Sequence, residues 1–291
     1  MGKKEELIPS LTTWMITGCT SGLGRSMAQA VLERGWNAVI TARHPEQLNS
    51  FIEDYPNRVL LLPLDVTDHH AIKQAVEQAK ERFGTVDALV NNAGYGYRAA
   101  VEEGNTDDVT RLFATHVFGP VELIKQVLPD MRLSRNGAII NVSSIAALES
   151  NPGSGYYAGA KSAQEGISCA LKKELAPLGI RVMVVEPGAF RTEFAGRSLT
   201  ESQVVIHDYD DTAGKRRLGR DHTHGTQPGD PAKAAELIIE AITSPKPPTH
   251  LLLGTDAVRF AQKVLSRRLD EYNQWADFSA RSDFKSASHN E

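Results

Sequence analysis

Thr13-Trp14-Met15-Ile16-Thr17 runs directly into Gly18-Cys19-Thr20-Ser21-Gly22-Leu23-Gly24, and the residues beyond switch to helical spacing, with Leu23, Met27, Ala30 and Val31 on one stripe. A short apolar run, a glycine-rich turn and a helix start, in that order, open a βαβ unit. The turn has a chemical consequence. Unsatisfied N–H groups and the helix dipole converge on one spot, and glycine lets an anion as bulky as a pyrophosphate approach. Gly18, Gly22 and Gly24, with Thr20, Ser21 and Leu23 between them, are therefore read as an anion-binding loop.

Outward from this loop, six more short apolar runs alternate with helical patterns: Asn37–Thr41, Arg58–Leu64, Val86–Asn91, Gly137–Ser143, Ile180–Glu186 and His250–Gly254. Most are apolar throughout, as strands covered on both faces are. Right-handed crossovers stack helices on both faces, which predicts a doubly wound α/β fold around a seven-stranded parallel sheet. Gly35 should end the first helix, Asp68 and Thr106 should start two others with side-chain caps, and Asp230-Pro231 reads as a cap with proline at the first helical position. Two stretches break the rhythm. Residues 190–229 show no clear strand and suit a lid, and 256–278 carry Val258, Ala261, Leu265, Leu269, Tyr272 and Trp275 near helical spacing. The latter is expected as a C-terminal helix over the cleft or a subunit partner, followed by a frayed polar tail, Ser279 to Glu291. All 291 residues are read as one domain.

Composition narrows the function classes. Thirty-two Lys and Arg against 36 Asp and Glu give a net charge of −4, no electrostatic case for nucleic acid or an anionic membrane. Cys19 and Cys169 suggest neither a disulfide framework nor a metal knuckle, and no run is apolar enough to span a bilayer, so a cytoplasmic setting is expected. His222 and His224, with His207, Asp208, Asp210 and Asp211, lack a metal-ligand scaffold, so no metal is expected. Lys215-Arg216-Arg217 and Arg220 are offset by the neighbouring aspartates and read as a wet face.

The spacing Gly-x-x-x-Gly-x-Gly resembles the short-chain dehydrogenase/reductase family, and four further segments follow in the family's order: Asn91-Asn92-Ala93-Gly94, Ser144, Tyr157-x-x-x-Lys161 and Pro187-Gly188. The resemblance covers roughly residues 10 to 255 and implies a Rossmann-type sheet holding a nicotinamide dinucleotide. It implies that Ser144, or Ser143 if the register slips by one, hydrogen-bonds the substrate oxygen. It also implies that Asp65 and Val66 meet the adenine, that Asn92, Ala93 and Gly94 line the adenosine side, and that Pro187, Gly188 and Thr192 belong to the cofactor cleft.

The residues make chemical sense on their own terms. Tyr157 and Lys161 are four apart, so a helix sets both on one face, about 5–6 Å between Cβ atoms. An ammonium beside a phenol favours the phenolate, so Lys161 is expected to acidify Tyr157, which then trades a proton with a carbonyl or alcohol oxygen. Tyr156 is equally phenolic, but Ala160 stands four residues on. Hydride must come from a nicotinamide, since no side chain supplies it. At the end of the second strand Ala42 stands where NAD sites place an acid and Arg43 follows, which favours the 2′-phosphate of NADP while leaving NAD open.

His116 departs from the family pattern, which has Asn there to hold a water linking the lysine to solvent; His116 is read either as holding that water or as a packed helix residue. Phe190, Phe194 and Leu199 hint at an apolar carbonyl or alcohol substrate. The resulting expectation is an NADP-preferring oxidoreductase acting on a small molecule, as a homodimer or homotetramer. A dinucleotide-binding regulator without turnover, or a sugar-nucleotide epimerase, is the alternative.

Overall fold

A computed structural model describes residues 11–196, 198–218 and 225–284. Nine strands occur along them: β1 (Thr13–Thr17), β2 (Asn37–Ala42), β3 (Val59–Pro63), β4 (Ala88–Asn91), β5 (Gly96–Arg98), β6 (Gly137–Val142), β7 (Ile180–Pro187), β8 (Leu199–Glu201) and β9 (His250–Leu253). The α-helices are α1 (Gly22–Glu33), α2 (Ser50–Asp54), α3 (His69–Phe83), α4 (Thr106–Phe113), α5 (Gly119–Ser134), α6 (Gly155–Leu175), α7 (Lys215–Leu218), α8 (Pro231–Thr243) and α9 (Thr255–Ala280).

Seven strands form one parallel sheet in the order β3-β2-β1-β4-β6-β7-β9, the doubly wound arrangement. Every residue of β1 and of β6 is buried, which is why these runs lack polar alternation. Successive side chains of β1 enter opposite cores: Trp14 and Ile16 pack with Met27 and Val31 of α1 and Ile238 and Ile242 of α8, while Met15 packs with Ile72, Leu123 and Leu171 of α3, α5 and α6. The chain order reverses between β1 and β4, and ligands of such sheets bind at that switch, beyond the carboxyl ends of the strands.

Capping chemistry sets the helix starts. Asp68 accepts from His70 and Ala71 N–H, and Asp230 from Ala232 and Lys233 N–H. The helix expected from Thr106 is capped instead by Asn105, whose side-chain oxygen reaches the N–H groups of Asp107 and Asp108; Thr106 is already helical. A π-helical turn, Ala114–Phe118, joins α4 to α5 and carries His116. Such turns insert one residue into the helical ladder and re-aim the side chains around it.

Two expectations are corrected. Residues 190–229 do contain a strand: β8 pairs in parallel with β5, Gly96 opposite Leu199, as a separate two-stranded sheet. Three residues are too few to show a period, and the pairing joins segments about a hundred positions apart. The C-terminal helix exists, but it buries Ala257, Ala261 and Val264 and leaves Leu265, Leu269, Tyr272, Trp275 and Phe278 exposed. It leaves the edge strand β9, and its last buried residue is Val264; from there its contacts with the body are polar, through Arg267 and Arg268, and the rest of the apolar stripe meets no core. No helix among the described residues is long and apolar enough to cross a membrane. Arg220, His222, His224 and the tail beyond residue 284 lie outside the described residues.

Candidate active site

The glycine loop is held from behind by the segment after β4. Asn92 Nδ2 donates to the carbonyls of Thr17 (2.8 Å) and Gly18 (3.1 Å), and the Thr17 hydroxyl accepts from the N–H groups of Asn92 and Ala93, both at 3.0 Å. Gly18 has φ +71°, and a Cβ there would stand 2.7 Å from Ala93 Cα. At Gly24 a Cβ would meet the Gly18 carbonyl oxygen at 2.6 Å, so this glycine lets α1 close on the loop. Ser21 makes no side-chain cap, and the first-turn N–H groups of α1 stay available to an anion.

From this loop a cleft of about 890 Å³ runs along the strand ends to α6. Every residue assigned to the cofactor from the sequence lines it except Gly24, whose part is the helix contact just described. The volume and the glycine cradle fit a dinucleotide. Arg43 lies exposed on the wall and makes no ion pair among the described residues. Asp65 also lines the cleft, but its Oδ1 accepts from the N–H (2.9 Å) and hydroxyl (2.8 Å) of Thr67, which makes it a turn residue as well.

At the far end Ser144, Tyr157, Lys161 and His116 all face the same space. Ser144 hydrogen-bonds the Tyr157 phenol and caps the following turn, accepting from Ala146 N–H at 3.1 Å. Ser143, the other candidate, is committed elsewhere: its hydroxyl donates to Glu165 Oε1 at 2.5 Å. The Tyr157 ring is held edge-to-face by His116 (centroids 5.5 Å apart, 88°) and tilted against Phe194 (5.6 Å). Tyr156 faces away and donates to the Val101 carbonyl at 2.6 Å.

The electrostatics differ from the simple picture of an ammonium acidifying a phenol. Burial pushes Tyr157 above the ordinary phenol range, and the Ser144 hydrogen bond pulls it partly back. Lys161 Nζ sits 5.9 Å from the Tyr157 ring centroid and donates to the Val142 carbonyl at 2.7 Å. Burial lowers Lys161 to about 7, with Glu165 opposing, so at neutral pH the lysine is only partly charged. His116 is held well below the ordinary imidazole range, chiefly by burial and then by Lys161, and is neutral. Its Nε2 lies 2.8 Å from the Tyr95 carbonyl, and its buried Nδ1 has no partner among the described residues. Gly94 makes room for this ring, since a Cβ there would sit 3.0 Å from Nδ1. Cys19, in the loop, is fully buried with its thiol pushed up to about 12, a packed and inert side chain.

Of the apolar residues singled out from the sequence, Phe190 and Phe194 line the cleft and Leu199 is buried away from it; the sequence reading missed Tyr95, Ser198, Thr200 and Gln227, which add a phenol, two hydroxyls and an amide to the lining. Nor did it find the latch that holds the 199–218 segment. Glu103, with its side chain fully buried, accepts from both Nη atoms of Arg217 (2.7 and 3.0 Å) and from the N–H groups of Ala100 and Ile206. A glutamate in a short Val-Glu-Glu turn and an arginine in a basic run show no mutual signal in the sequence. No α9 residue lines the cleft, contrary to the expectation that this helix shapes the pocket. It braces the turn after Ser144 instead, with Arg268 donating to the Leu148 carbonyl and Arg267 paired with Glu149 at 2.7 Å.

Residues 12–203 match the family model for short chain dehydrogenases. The chain belongs to the short-chain dehydrogenase/reductase family. This dehydrogenase/reductase is 36% identical over 267 residues to "Oxidoreductase BOA17" of Botryotinia fuckeliana, covering 91% of this chain and 97% of that one. It superposes on a short-chain dehydrogenase from Streptomyces avermitilis with a TM-score of 0.88 at 38% identity, over 94% and 99% of the two chains. ElxO with NADP bound aligns with a TM-score of 0.68 at 25% identity, covering 84% of this chain and 96% of the other. The chain is an NAD(P)-dependent oxidoreductase with a small-molecule substrate, and a nicotinamide dinucleotide is its cofactor.

Proposed function

We propose that this short-chain dehydrogenase/reductase interconverts a ketone or aldehyde and its alcohol, prefers NADP, and uses Tyr157 as the general acid and base. One observation carries the reading. The Tyr157 phenol, hydrogen-bonded by Ser144 and backed by Lys161, opens into the same cleft as the glycine loop. When bound, the reduced nicotinamide supplies the hydride that no side chain can. Buried and raised, Tyr157 keeps its proton until charge builds on the substrate oxygen, then yields it. The Ser144 hydroxyl donates to the same oxygen and fixes the carbonyl. His116 packs edge-on against Tyr157, and its unpartnered Nδ1 is the place for a relay water.

The NADP preference rests on Arg43, a guanidinium at the cleft wall beside Ala42 rather than a carboxylate. An apolar carbonyl compound suits Phe190, Phe194 and Tyr95, with Ser198, Thr200 and Gln227 available to a polar substituent. We read the chain as one catalytic domain with 190–229 as its lid, working in the cytoplasm as a homodimer or homotetramer, without nucleic-acid or membrane partners.

The test follows nicotinamide absorbance with a panel of ketones, aldehydes and alcohols. Tyr157→Phe should cut turnover about 10²–10⁴-fold while NADPH affinity stays unchanged. Cofactor binding without turnover on any substrate would support a regulator instead.

A further inference from the structure

Behind the reaction centre, α6 carries Tyr157, Lys161 and Glu165 at four-residue intervals, one stripe facing the sheet. Two rungs of that stripe are tied to consecutive residues at the end of β6. Lys161 Nζ donates to the Val142 carbonyl at 2.7 Å, and Glu165 Oε1 accepts from the Ser143 hydroxyl at 2.5 Å. Next in line is Glu186 of β7, 2% exposed, whose Oε1 lies 2.6 Å from His250 Nδ1 of β9. Polar atoms of Glu165, Glu186 and His250 all lie within 4.8 Å of one another. The His250 side chain is 40% exposed, so the series leads from the buried lysine to the rim of the sheet.

We propose that Glu165, Glu186 and His250 form a proton path joining Lys161 to solvent at the β9 edge, with Ser143 as the residue that positions Glu165. The inference rests on the reading that Tyr157 exchanges a proton with substrate. In the reducing direction the Tyr157 O–H bond breaks as the alcohol O–H forms, and the phenolate is reprotonated from the Lys161 side. Lys161 takes the carboxyl proton of Glu165, Glu165 is refilled from His250 through Glu186, and His250 takes a proton from water. One proton enters from solvent, and the electron pair is the hydride of the reduced nicotinamide.

The energetics suit transfer. Two carboxylates this close in a desolvated setting do not both ionise readily. Burial and the charge of Glu186 raise Glu165 to about 7, while the Ser143 hydrogen bond, His250 and Lys161 pull it back. Burial lowers Lys161 while Glu165 opposes the shift, so in this shared desolvated setting the lysine holds its proton less firmly and the carboxyl holds one more firmly than either would in water. The remaining polar neighbours at the rim are the Cys169 thiol, 3.6 Å from His250 Nε2, and Lys172, bonded to the Thr249 hydroxyl. A cation shared by the three groups is the competing use of this cluster. Against it, Glu186 and His250 already occupy each other, Ser143 holds Glu165, and Lys161 opposes a second positive charge. The route on the other side, at His116, ends on a residue 1% exposed, whereas His250 meets water.

The test uses the full chain. By infrared titration without substrate, a protonated carboxyl band should disappear near pH 7 in the parent and be missing in Glu165→Gln. In NADPH-driven reduction of a small aromatic diketone, Glu165→Gln should lower kcat about tenfold with KM and NADPH affinity unchanged, and flatten the kcat–pH profile near neutrality. His250→Asn keeps a hydrogen-bond donor near the Nδ1 position and sits at the surface, so it carries the test should Glu165→Gln fail to fold. It should lower kcat about threefold or more, with recovery on adding imidazole to the buffer, which a purely structural role would not give. Absence of any carboxyl titrating near neutrality, or variants with parental kcat, pH profile and solvent isotope effect, overturns the path. Turnover surviving in Tyr157→Phe would instead remove the tyrosine reading beneath it; an inactive Tyr157→Phe beside normal Glu165→Gln and His250→Asn removes only the path.

Discussion

Replacing Glu103 by glutamine changes one oxygen for an amide nitrogen at a fully buried carboxylate that receives four N–H donors, two of them from Arg217. The glutamine oxygen can keep two of these, and its NH₂ then faces donors while the Arg217 charge loses its partner. Breaking a buried ion pair from one side costs about 3–5 kcal/mol. Proton linkage gives a similar size. A carboxyl held at about 2 in the fold against an ordinary 4.5 is favoured by about 3 kcal/mol. The folded value is depressed, so this stabilisation is complete above about pH 4.5 and is lost as the pH falls toward 2. The loss should appear locally, because Glu103 joins the 199–218 segment to the body and lies outside both central cores. Amide exchange across 199–218 should speed up by about 100-fold or more, the melting temperature should fall by about 5–10 °C, and NADPH affinity should hold. Glu103→Gln should raise KM for the carbonyl substrate, since Thr200 of this segment and the adjoining Ser198 line the cleft. Exchange and KM unchanged from the parent would refute the latch.

Arg43→Ala should reduce the preference for NADPH over NADH by about 10–100-fold, the worth of one charge-assisted phosphate contact, measured as the ratio of kcat/KM values. A parent enzyme that prefers NADH would contradict the reading of the β2 end. His116→Asn should keep turnover within about threefold, since an amide also donates and accepts; a collapse would show that the imidazole itself is required. Cys19 should resist alkylation in the folded chain and react only on unfolding, because its thiol is buried and pushed up to about 12. Rapid labelling under native conditions would contradict that placement.

The sheet was legible in the residues because its strands are buried on both faces, and burial writes itself into a chain as unbroken apolar runs such as Trp14-Met15-Ile16 and Val182-Met183-Val184-Val185. The glycine loop and the Tyr157–Lys161 pair were legible for a related reason: each depends on spacing within one turn or one helix. Partnerships across long separations left no such trace. Glu103 with Arg217, β5 with β8, and Glu165 with Glu186 and His250 meet only because the crossovers bring distant segments to one sheet edge or one end of the strands. Local spacing also misjudged what burial does. A lysine one helical turn from a tyrosine suggests an acidified phenol, but desolvation acts on both groups, raising Tyr157 and lowering Lys161. The amino-acid order thus determined which groups could meet a dinucleotide and a substrate. Only the packed structure decided their protonation, because desolvation depends on everything around a group rather than on its neighbours in the chain.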